Sequence, residues 1–369
     1  MTYYMGASGL GHWVRRLRMT LDEINNELVL LKAAGTRSYE DRRDELERYE
    51  ISRDNYFSIK AGEMLPEAFF DGLDVVYVAS PNQFHKDQTM QALRRGKVTV
   101  TEKTFATSKE DFDEVINFIK GKHEGRVTLG LHYITKTLSI ELGKLMPSLV
   151  EQYGKVRSVS ASFFEEVREE DARRKWLFKP ENGGIAMDWI HPISIISFIM
   201  RADRLELQKA KPYIVQKMYD EKNPSGFYSL YKISGKFFQE GATAVIRVAK
   251  GVDSPFKVFR INFEDAYAEL LYISTDDEFL TGTRGRMEIS ERGKVVKVLS
   301  PKGPLSYQYL INDMLHMLKG EEPMLSLQDI IKMYQPEWQL QDALWSEKPL
   351  NDTDEIEKFI EEGIKHKIS

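Results

Sequence analysis

Two short stretches of the chain contain ionisable residues that could take up or release a proton. Asp188 and His191 are three residues apart, so on a helix their side chains share one face, and the pair Gly183-Gly184 just before them suits the close approach of a ligand. Lys103 follows a predicted strand, residues 98–101, and Glu102. A lysine accepts a proton at neutral pH only where its surroundings disfavour the ammonium form, as in an apolar crevice. These residues indicate acid–base chemistry, although an Asp–His pair on an apolar helix is also typical of a buried structural pair.

The elements that must position Lys103 lie in residues 74–104. Residues 75–79 are an apolar run that ends in Ser-Pro-Asn, which predicts a buried parallel strand, and residues 85–95 predict a helix that Gly96 ends. Residues 98–101 predict the next strand. In an open α/β sheet, ligands bind outside the carboxyl ends of the strands. Polar residues follow both predicted strands: Ser80, Pro81, Asn82 and His85 after the first, and Glu102 with Lys103 after the second.

A glycine cluster near the amino terminus predicts a phosphate-binding turn. Residues 2–5 predict a short first strand, the sequence GASGLG follows, and a helix begins at His12. The cluster is similar to the dinucleotide fingerprint G-x-G-x-x-G, with a serine in place of the middle glycine. An ordinary turn is the alternative reading, and the strand–helix–strand unit downstream favours the phosphate site. The predicted cofactor contacts here are Gly6, Ser8, Gly9 and Gly11.

The second predicted strand, residues 28–32, bears on the choice of dinucleotide. Dinucleotide folds place an acidic residue at its end for the ribose of NAD, or a basic residue for the 2′-phosphate of NADP. Here Lys32, Thr36, Arg37 and Ser38 occupy this region. Arginine can bind a phosphate with two hydrogen bonds and serine can donate one, so Arg37 and Ser38 favour NADP over NAD. The alternative is that Arg37 merely begins a charged surface helix.

The length and the patterning of the chain indicate two domains. A chain of 369 residues is longer than a single hydrophobic core usually accommodates, and the pattern of apolar and polar residues changes near Gly154. The later strand patterns, residues 155–164 and several between 213 and 293, mostly alternate apolar and polar residues, which predicts an open antiparallel sheet. We therefore expect an α/β plus α+β fold. Residues 1–130 form a dinucleotide-binding Rossmann domain, and residues 131–369 form an α+β domain for substrate binding and oligomerisation.

Composition excludes several classes of function. The net charge of −5 and the pI near 5.9 do not indicate the excess of positive charge that is typical of nucleic-acid-binding proteins. No apolar run approaches the roughly 20 residues of a membrane span, and the amino terminus does not read as a signal peptide. Cysteine is absent, which excludes disulfides, thiolate nucleophiles and cysteine–zinc sites. We expect a cytoplasmic protein without a metal site.

Three motifs resemble those of the glucose-fructose oxidoreductase and inositol dehydrogenase family (Gfo/Idh/MocA). They are Ser80-Pro81-Asn82-Gln83-Phe84-His85, Glu102-Lys103-Thr104, and the run from Gly183-Gly184 to Asp188 and His191. Two departures stand out. Thr104 occupies the place of the family's usual proline. His191 follows Asp188 by three residues where four is usual, and Ile190 stands where glycine is common.

The resemblance implies an NAD(P)-dependent oxidoreductase that transfers a hydride between the nicotinamide and a secondary alcohol or anomeric carbon of a sugar, polyol or sugar derivative. Lys103 or His191 would handle the proton, and Asp188 would bind a sugar hydroxyl or orient His191. His85 and Asn82 would face the cofactor ribose. The weaker candidates for sugar contacts are Tyr133, Lys136, Arg173 and Trp176.

The resemblance also implies a homo-oligomer, a dimer or tetramer, assembled through the open face of the second sheet. Three alternatives remain open. Some relatives use tightly held NAD to cleave glycosidic bonds, a few are dinucleotide-binding regulators without catalysis, and others reduce C=N or tetrapyrrole bonds. The joint presence of Lys103, Asp188 and His191 argues against the regulator.

Overall fold

The computed structural model describes residues 1–24, 27–166, 178–215, 222–253, 255–273 and 284–364. The chain divides into two compact units. The first comprises Met1–His132 and Ser306–Ile331, and the second comprises Tyr133–Leu305 and Lys332–Ser369. The first division falls two residues beyond the boundary expected at residue 130. The return of Ser306–Ile331 to the first unit differs from the expected arrangement, which left everything after residue 130 in one domain.

The first unit contains a six-stranded parallel sheet in the order β3-β2-β1-β4-β5-β6. Its strands are β1 (Tyr3–Ser8), β2 (Leu28–Gly35), β3 (Tyr56–Ser58), β4 (Val75–Val78), β5 (Val98–Glu102) and β6 (Val127–Gly130). Its helices are α1 (His12–Glu23), α2 (Arg43–Arg48), α3 (His85–Arg94), α4 (Lys109–Ile119) and α7 (Ser306–Leu318). The predicted strands are confirmed, and β1, β2 and β5 extend beyond their predicted ends.

The burial of apolar residues explains why these segments form the sheet and the helices that pack on it. Every residue of β4 is buried, as a continuous apolar run in a central parallel strand requires. The start of α4 is capped, since the Ser108 hydroxyl accepts the Asp111 N–H at 3.1 Å. Helix α7 returns to this unit because residues along one face, among them Leu310 and Met314, are buried in the same core as β1 and β4.

The second unit contains an eight-stranded sheet in the order β14-β13-β12-β11-β7-β10-β9-β8. Its strands are β7 (Val156–Glu165), β8 (Ala202–Tyr213), β9 (Gly226–Gly235), β10 (Phe238–Lys250), β11 (Phe256–Asn262), β12 (Ala266–Tyr272), β13 (Arg286–Glu291) and β14 (Lys294–Leu299). Only the β7–β10 pair among these is parallel. The predicted fold class, a Rossmann-type sheet followed by a mostly antiparallel sheet, is confirmed.

Helices complete the second unit. They are α5 (Thr137–Tyr153), α6 (Ile190–Ser194), α8 (Leu327–Ser346) and α9 (Thr353–Ile364), with α8 beginning in the first unit. Strands β8 and β14 escaped the sequence analysis for physical reasons. Register shifts interrupt the alternation of β8, and β14 is exposed along nearly its whole length. The strand expected from residue 213 is the end of β8 at Tyr213, and residues 216–220 lie outside the described residues.

Two further observations concern the described part of the chain alone. No helix in it is long and apolar enough to cross a membrane. Nor does it contain a group of three or more histidine, aspartate or glutamate side chains that could hold a metal ion.

Candidate active site

The glycine turn after β1 packs against the end of β4. Gly9 has φ +91°, and a Cβ atom at this position would lie 2.4 Å from the carbonyl oxygen of Ala79. The position therefore requires glycine, for its backbone conformation and for the close approach. The Ser8 side chain, which replaces the fingerprint's middle glycine, is turned inward: its buried hydroxyl donates to Gln88 Oε1 at 2.7 Å.

The other end of this turn is open. Gly11 is the N-cap of α1 with extended backbone angles, no side chain caps the helix, and a Cβ at Gly11 would meet nothing within 4 Å. The first amides of a helix lack partners within it and carry partial positive charge. At Gly6, by contrast, a Cβ would lie 2.4 Å from Leu73 Cδ1, so this glycine serves packing. An uncapped helix start beside open space fits the pyrophosphate of a dinucleotide.

Gln88 links two of the predicted cofactor contacts and was missed by the sequence analysis. Its Oε1 accepts the hydroxyl of Ser8 at 2.7 Å and that of Ser80 at 2.8 Å. The turn after β1 and the turn after β4 are therefore joined through one side chain of α3. A signal was present: Gln88 is three residues after His85, so both belong to the same face of the helix.

The residues after β2 lie at the surface. Arg37 and Ser38 are exposed, and the Ser38 hydroxyl donates to the Asp41 carboxylate at 2.7 Å, which holds the pKa of Asp41 below its usual value. Lys32, by contrast, is buried and donates to the carbonyl oxygen of Ala68 at 2.7 Å. Arg37 is thus the basic side chain at the end of β2 with a solvent-facing position.

His85 joins the turns that follow β4 and β5. Its Nδ1 lies 2.6 Å from the carbonyl oxygen of Thr104 and its Nε2 lies 2.7 Å from that of Ser80. Burial lowers the pKa of His85, although the backbone carbonyls oppose this. The predicted contact of His85 with a ribose stays a prediction, as does that of Asn82, which begins a 3₁₀ turn and is half-buried after the exposed Pro81.

At the end of β5, Glu102 is fully buried and Lys103 is half-buried. The Tyr77 hydroxyl donates to Glu102 Oε1, and the Tyr307 hydroxyl lies 3.4 Å from the same oxygen. Burial raises the pKa of Glu102 to about 7, against the opposing effects of Tyr77 and Lys103. The peptide bond between Lys103 and Thr104 is cis.

Asp188 and His191 lie in the second unit, on a 3₁₀ segment (Gly184–Trp189) that continues into α6. Asp188 Oδ1 is 3.9 Å from His191 Nε2, so the two side chains share a face as expected. The glycines before them serve packing: a Cβ at Gly183 would lie 2.6 Å from Met187 Cγ, and one at Gly184 would overlap the ring of Trp345.

Two lysines and a glutamate that the sequence analysis missed extend this pair into a network. Lys250 Nζ lies 3.1 Å from Asp188 Oδ2 and 2.7 Å from Glu165 Oε2, and Lys257 Nζ lies 2.8 Å from Glu165 Oε1. Burial disfavours the charge on Lys257, but Glu165 and Tyr133 outweigh it, so the pKa of this lysine is raised. Sheet register creates the network, since Lys250 pairs with Glu165 across β10 and β7.

Tyr133 and Lys136, two predicted sugar contacts, are buried beside this network. The ring of Tyr133 lies 4.5 Å from the ring of His191, and the ammonium group of Lys136 lies 5.5 Å from the Tyr133 ring centre. The other two, Arg173 and Trp176, lie outside the described residues. Lys103 belongs to the first unit and Asp188 to the second, so their predicted cooperation stays a prediction.

Comparison with known proteins finds a family match in the first unit. Residues 24–130 match the model of Gfo/Idh/MocA, an oxidoreductase family with an NAD-binding Rossmann fold. Residues 24–130 are therefore similar to the NAD-binding domain of the Gfo/Idh/MocA family. The matched residues cover β2 to β6, including both motifs of the first unit. The resemblance noted on Ser80 to His85 and on Glu102 to Thr104 is thereby confirmed.

Two curated relatives match part of this chain. A 1,5-anhydro-D-fructose reductase of Ensifer adhaerens is 28% identical over 137 residues, which are 36% of this chain and 40% of the relative. A scyllo-inositol 2-dehydrogenase (NADP(+)) of Bacillus subtilis is 32% identical over 123 residues, 32% of this chain and 36% of the relative. The match therefore spans about two fifths of the length of these relatives.

Solved structures resemble the whole fold. An aldose-aldose oxidoreductase from Caulobacter crescentus superposes with a TM-score of 0.75 at 19% identity, covering 94% of this chain and 98% of the other. A 3-ketoreductase from Actinomadura kijaniata in complex with NADP superposes with a TM-score of 0.71 at 17% identity, covering 94% of this chain and 97% of the other. At these identities the likeness establishes the fold of both sheets.

Proposed function

We propose that the protein is an NAD(P)-dependent oxidoreductase that transfers a hydride between the nicotinamide and a secondary alcohol or anomeric carbon of a sugar, polyol or sugar derivative. The observation that carries the proposal is the arrangement at the carboxyl end of the parallel sheet. Two features follow strands of this sheet. The start of α1, after β1, is uncapped and open enough for a phosphate, and the half-buried Lys103, after β5, could exchange a proton. The match of residues 24–130 to an oxidoreductase family and relatives named as sugar or inositol enzymes support it.

The first unit provides the cofactor residues in this proposal. The turn shaped by Gly9 and Gly11 and the first amides of α1 bind the pyrophosphate. Arg37 binds the 2′-phosphate. Residues 35–38 contain no carboxylate that could bind the ribose diol of NAD, and this favours NADP as the cofactor. When bound, the cofactor supplies the hydride donor or acceptor. The remaining proposed contacts of the cofactor are Gly6, Ser8, Ser38, Ser80, Pro81, Asn82, His85 and Glu102.

Lys103 and His191 are the groups that we propose to exchange the proton of the substrate hydroxyl. Positioned general acids and bases typically contribute two to four orders of magnitude to a rate, roughly a factor of 10² to 10⁴. The ring of His191 is fixed against Tyr133, and Asp188 is held by Lys250. A carboxylate fixed in this way can accept a hydrogen bond from a sugar hydroxyl without reorganising.

We also propose that copies of the chain associate through the eight-stranded sheet. The edge strand β14 supports this, because Val295, Val296 and Val298 are about half exposed. Light scattering on the full chain tests it: a dimer or tetramer is expected, and Val296→Lys should shift the mass toward the monomer. A monomeric wild type at micromolar concentration would contradict the proposal.

The proposed reaction is tested with a panel of aldoses and polyols, assayed separately with NAD and NADP by the absorbance of the reduced cofactor. We expect turnover with NADP and at least one substrate. Lys103→Met should leave NADPH affinity near that of the wild type and abolish turnover. Lys109→Met is the matched control, since Lys109 is an exposed lysine paired with Asp113 on α4. It should change neither quantity.

Two results would refute the proposal. Turnover of the Lys103→Met variant within about tenfold of the wild type would remove Lys103 from the reaction. Cleavage of a glycoside without net production of NADPH would replace the dehydrogenase with a hydrolase of the same fold.

A further inference from the structure

The first turns of helix α3 bury polar side chains against the parallel sheet. His85, Gln88 and Thr89 are almost fully buried, with 1%, 3% and 0% of their surfaces exposed. Gln88 and Thr89 follow His85 by three and four residues, so all three side chains lie on one face of the helix. A helix usually packs on a sheet through an apolar stripe, because a buried polar group needs a hydrogen-bond partner. The partners of these side chains therefore indicate what this face of α3 does.

These side chains bind the carboxyl ends of three neighbouring strands. Thr89 Oγ1 lies 2.6 Å from Thr101 Oγ1 on β5. Gln88 joins the other two ends, since its Oε1 accepts the hydroxyl of Ser8, the last residue of β1, at 2.7 Å, and the hydroxyl of Ser80, after β4, at 2.8 Å. One side-chain oxygen is thus shared by the two turns in which cofactor contacts are predicted.

Ser8 makes this contact important for the turn after β1. The residue stands in the place of the fingerprint's middle glycine, where the backbone must approach a pyrophosphate closely. Its side chain is buried, and its hydroxyl has a single proton, which it donates to Gln88. A phosphate bound at this turn would therefore meet backbone amides and not the serine hydroxyl. Without Gln88, the hydroxyl would be buried without an acceptor, which is energetically unfavourable.

The same oxygen of Gln88 determines how Ser80 can act. Ser80 is half-buried, so part of its surface is open to solvent. Its hydroxyl proton points at Gln88 Oε1, which leaves the lone pairs of the hydroxyl oxygen for other contacts. Ser80 can therefore accept a hydrogen bond from a ligand hydroxyl, such as that of a ribose, while it keeps its bond to Gln88.

We propose that Gln88 is a positioning residue for the cofactor: it holds the glycine turn (residues 8–11) at a fixed distance from the Ser80 turn (residues 79–82). The proposal rests on the proposed function, in which the first turn binds the pyrophosphate and the second contacts a ribose. Separation of the two turns breaks the hydrogen bond of Gln88 to Ser8 or to Ser80. A site that is preformed in this way loses less conformational freedom when its ligand binds.

The affinity for NADPH measures the effect of this contact. Gln88→Leu removes the shared oxygen and keeps a side chain of similar size, so the dissociation constant in a fluorescence titration should rise about tenfold, equal to about 1.4 kcal/mol. Gln91→Leu is the matched control. Gln91 is buried on the same helix and makes two hydrogen bonds to the backbone of Leu65, which belongs to neither turn. Its replacement should leave the dissociation constant unchanged.

Two results of this titration would overturn the proposal. One is an unchanged dissociation constant in Gln88→Leu, since the turns would then be placed without the glutamine. The other is an equal rise in Gln88→Leu and Gln91→Leu, since any loss of a buried glutamine on α3 would then have the same effect.

A second variant, Ser8→Gly, shows whether Gln88 acts through the turn after β1. It restores the fingerprint glycine and removes the hydroxyl that Gln88 accepts. In the Ser8→Gly background, Gln88→Leu should raise the dissociation constant by only about threefold, since the contact with Ser80 alone is then lost. A rise of the same size in both backgrounds would mean that Ser8 and Gln88 act independently, and it would overturn the proposal.

Hydrogen exchange tests the coupling of the turns without any cofactor. The Ala79 amide is the reporter, because it donates to the last carbonyl oxygen of β1 at 2.8 Å and is protected while the turns stay together. In Gln88→Leu, peptides that contain Gly9 and Ala79 should exchange faster than in the wild type. In Gln91→Leu, the faster exchange should be confined to the peptide that contains Leu65. Unchanged exchange of the first two peptides in Gln88→Leu would overturn the proposal.

Turnover kinetics separate this proposal from the function on which it rests. In Gln88→Leu, a raised KM for NADPH with a kcat near that of the wild type would support both. Weaker NADPH binding in Gln88→Leu, together with a wild type that turns over no sugar or polyol, would refute the oxidoreductase and support the role of Gln88. Turnover in Gln88→Leu with the KM of the wild type for NADPH would overturn the role of Gln88 and leave the oxidoreductase standing.

Discussion

Replacing Glu102 by glutamine should change how the stability of the protein depends on pH. In the folded protein the pKa of Glu102 is raised from 4.5 to about 7 by burial, whereas the unfolded chain titrates near the ordinary value. Between these two values the folded state holds a proton that the unfolded state has released. The free energy of unfolding therefore falls as the pH rises through this window.

The size of the effect follows from the two pKa values. At about 1.4 kcal/mol for each pH unit, the interval from 4.5 to about 7 corresponds to about 3 kcal/mol. Roughly 2.5 kcal/mol of this falls between about pH 5 and about pH 8. Glutamine has the shape of the carboxyl but does not titrate. The difference in unfolding free energy, variant minus wild type, should rise by that amount between the two pH values.

Urea unfolding at about pH 5 and about pH 8 measures this difference, with hydrogen exchange of peptides from β4 and β5 reporting on the first unit. Glu47→Gln is the control, because Glu47 is exposed on α2. Its difference from the wild type should be the same at both pH values. If Glu102→Gln and the wild type respond to pH in parallel, Glu102 is ionised across the range and the argument from its burial is wrong.

Three more predictions concern particular residues. Glu165→Gln should destabilise the second unit by about 2–4 kcal/mol, because Glu165 is the shared partner of two lysines that are each less than a fifth exposed. The control Glu264→Gln, at an exposed ion pair, should lower the unfolding free energy measured in urea by less than about 1 kcal/mol. Equal losses in the two variants would contradict the estimate. Gly9→Ala should lower the unfolding free energy by about 2–4 kcal/mol through its φ and its contact with Ala79. Gly11→Ala should fold like the wild type and weaken NADPH binding; unchanged affinity in a titration would remove Gly11 from the phosphate site.

Local patterns were enough to predict most of the first unit. The buried run of β4 and the glycine that ends α3 depend on neighbours within a few residues, so they can be predicted from the order of residues along the chain. Strand β14 could not be predicted in this way. Its side chains are exposed on both faces and carry no alternation, and its place in the sheet depends on pairing with β13.

The sequence by itself determined which residues could do chemistry, since Lys103, Asp188 and His191 were identified from residue type, spacing and resemblance. Tertiary structure alone decided their surroundings. Glu102 is buried by Tyr77 and by Tyr307, which is more than 200 residues away in the chain. Asp188 is held by Lys250, a residue of β10 that pairs with Glu165 of β7. A pKa or an ion pair depends on distance and burial in space, which the order of residues along a chain does not contain.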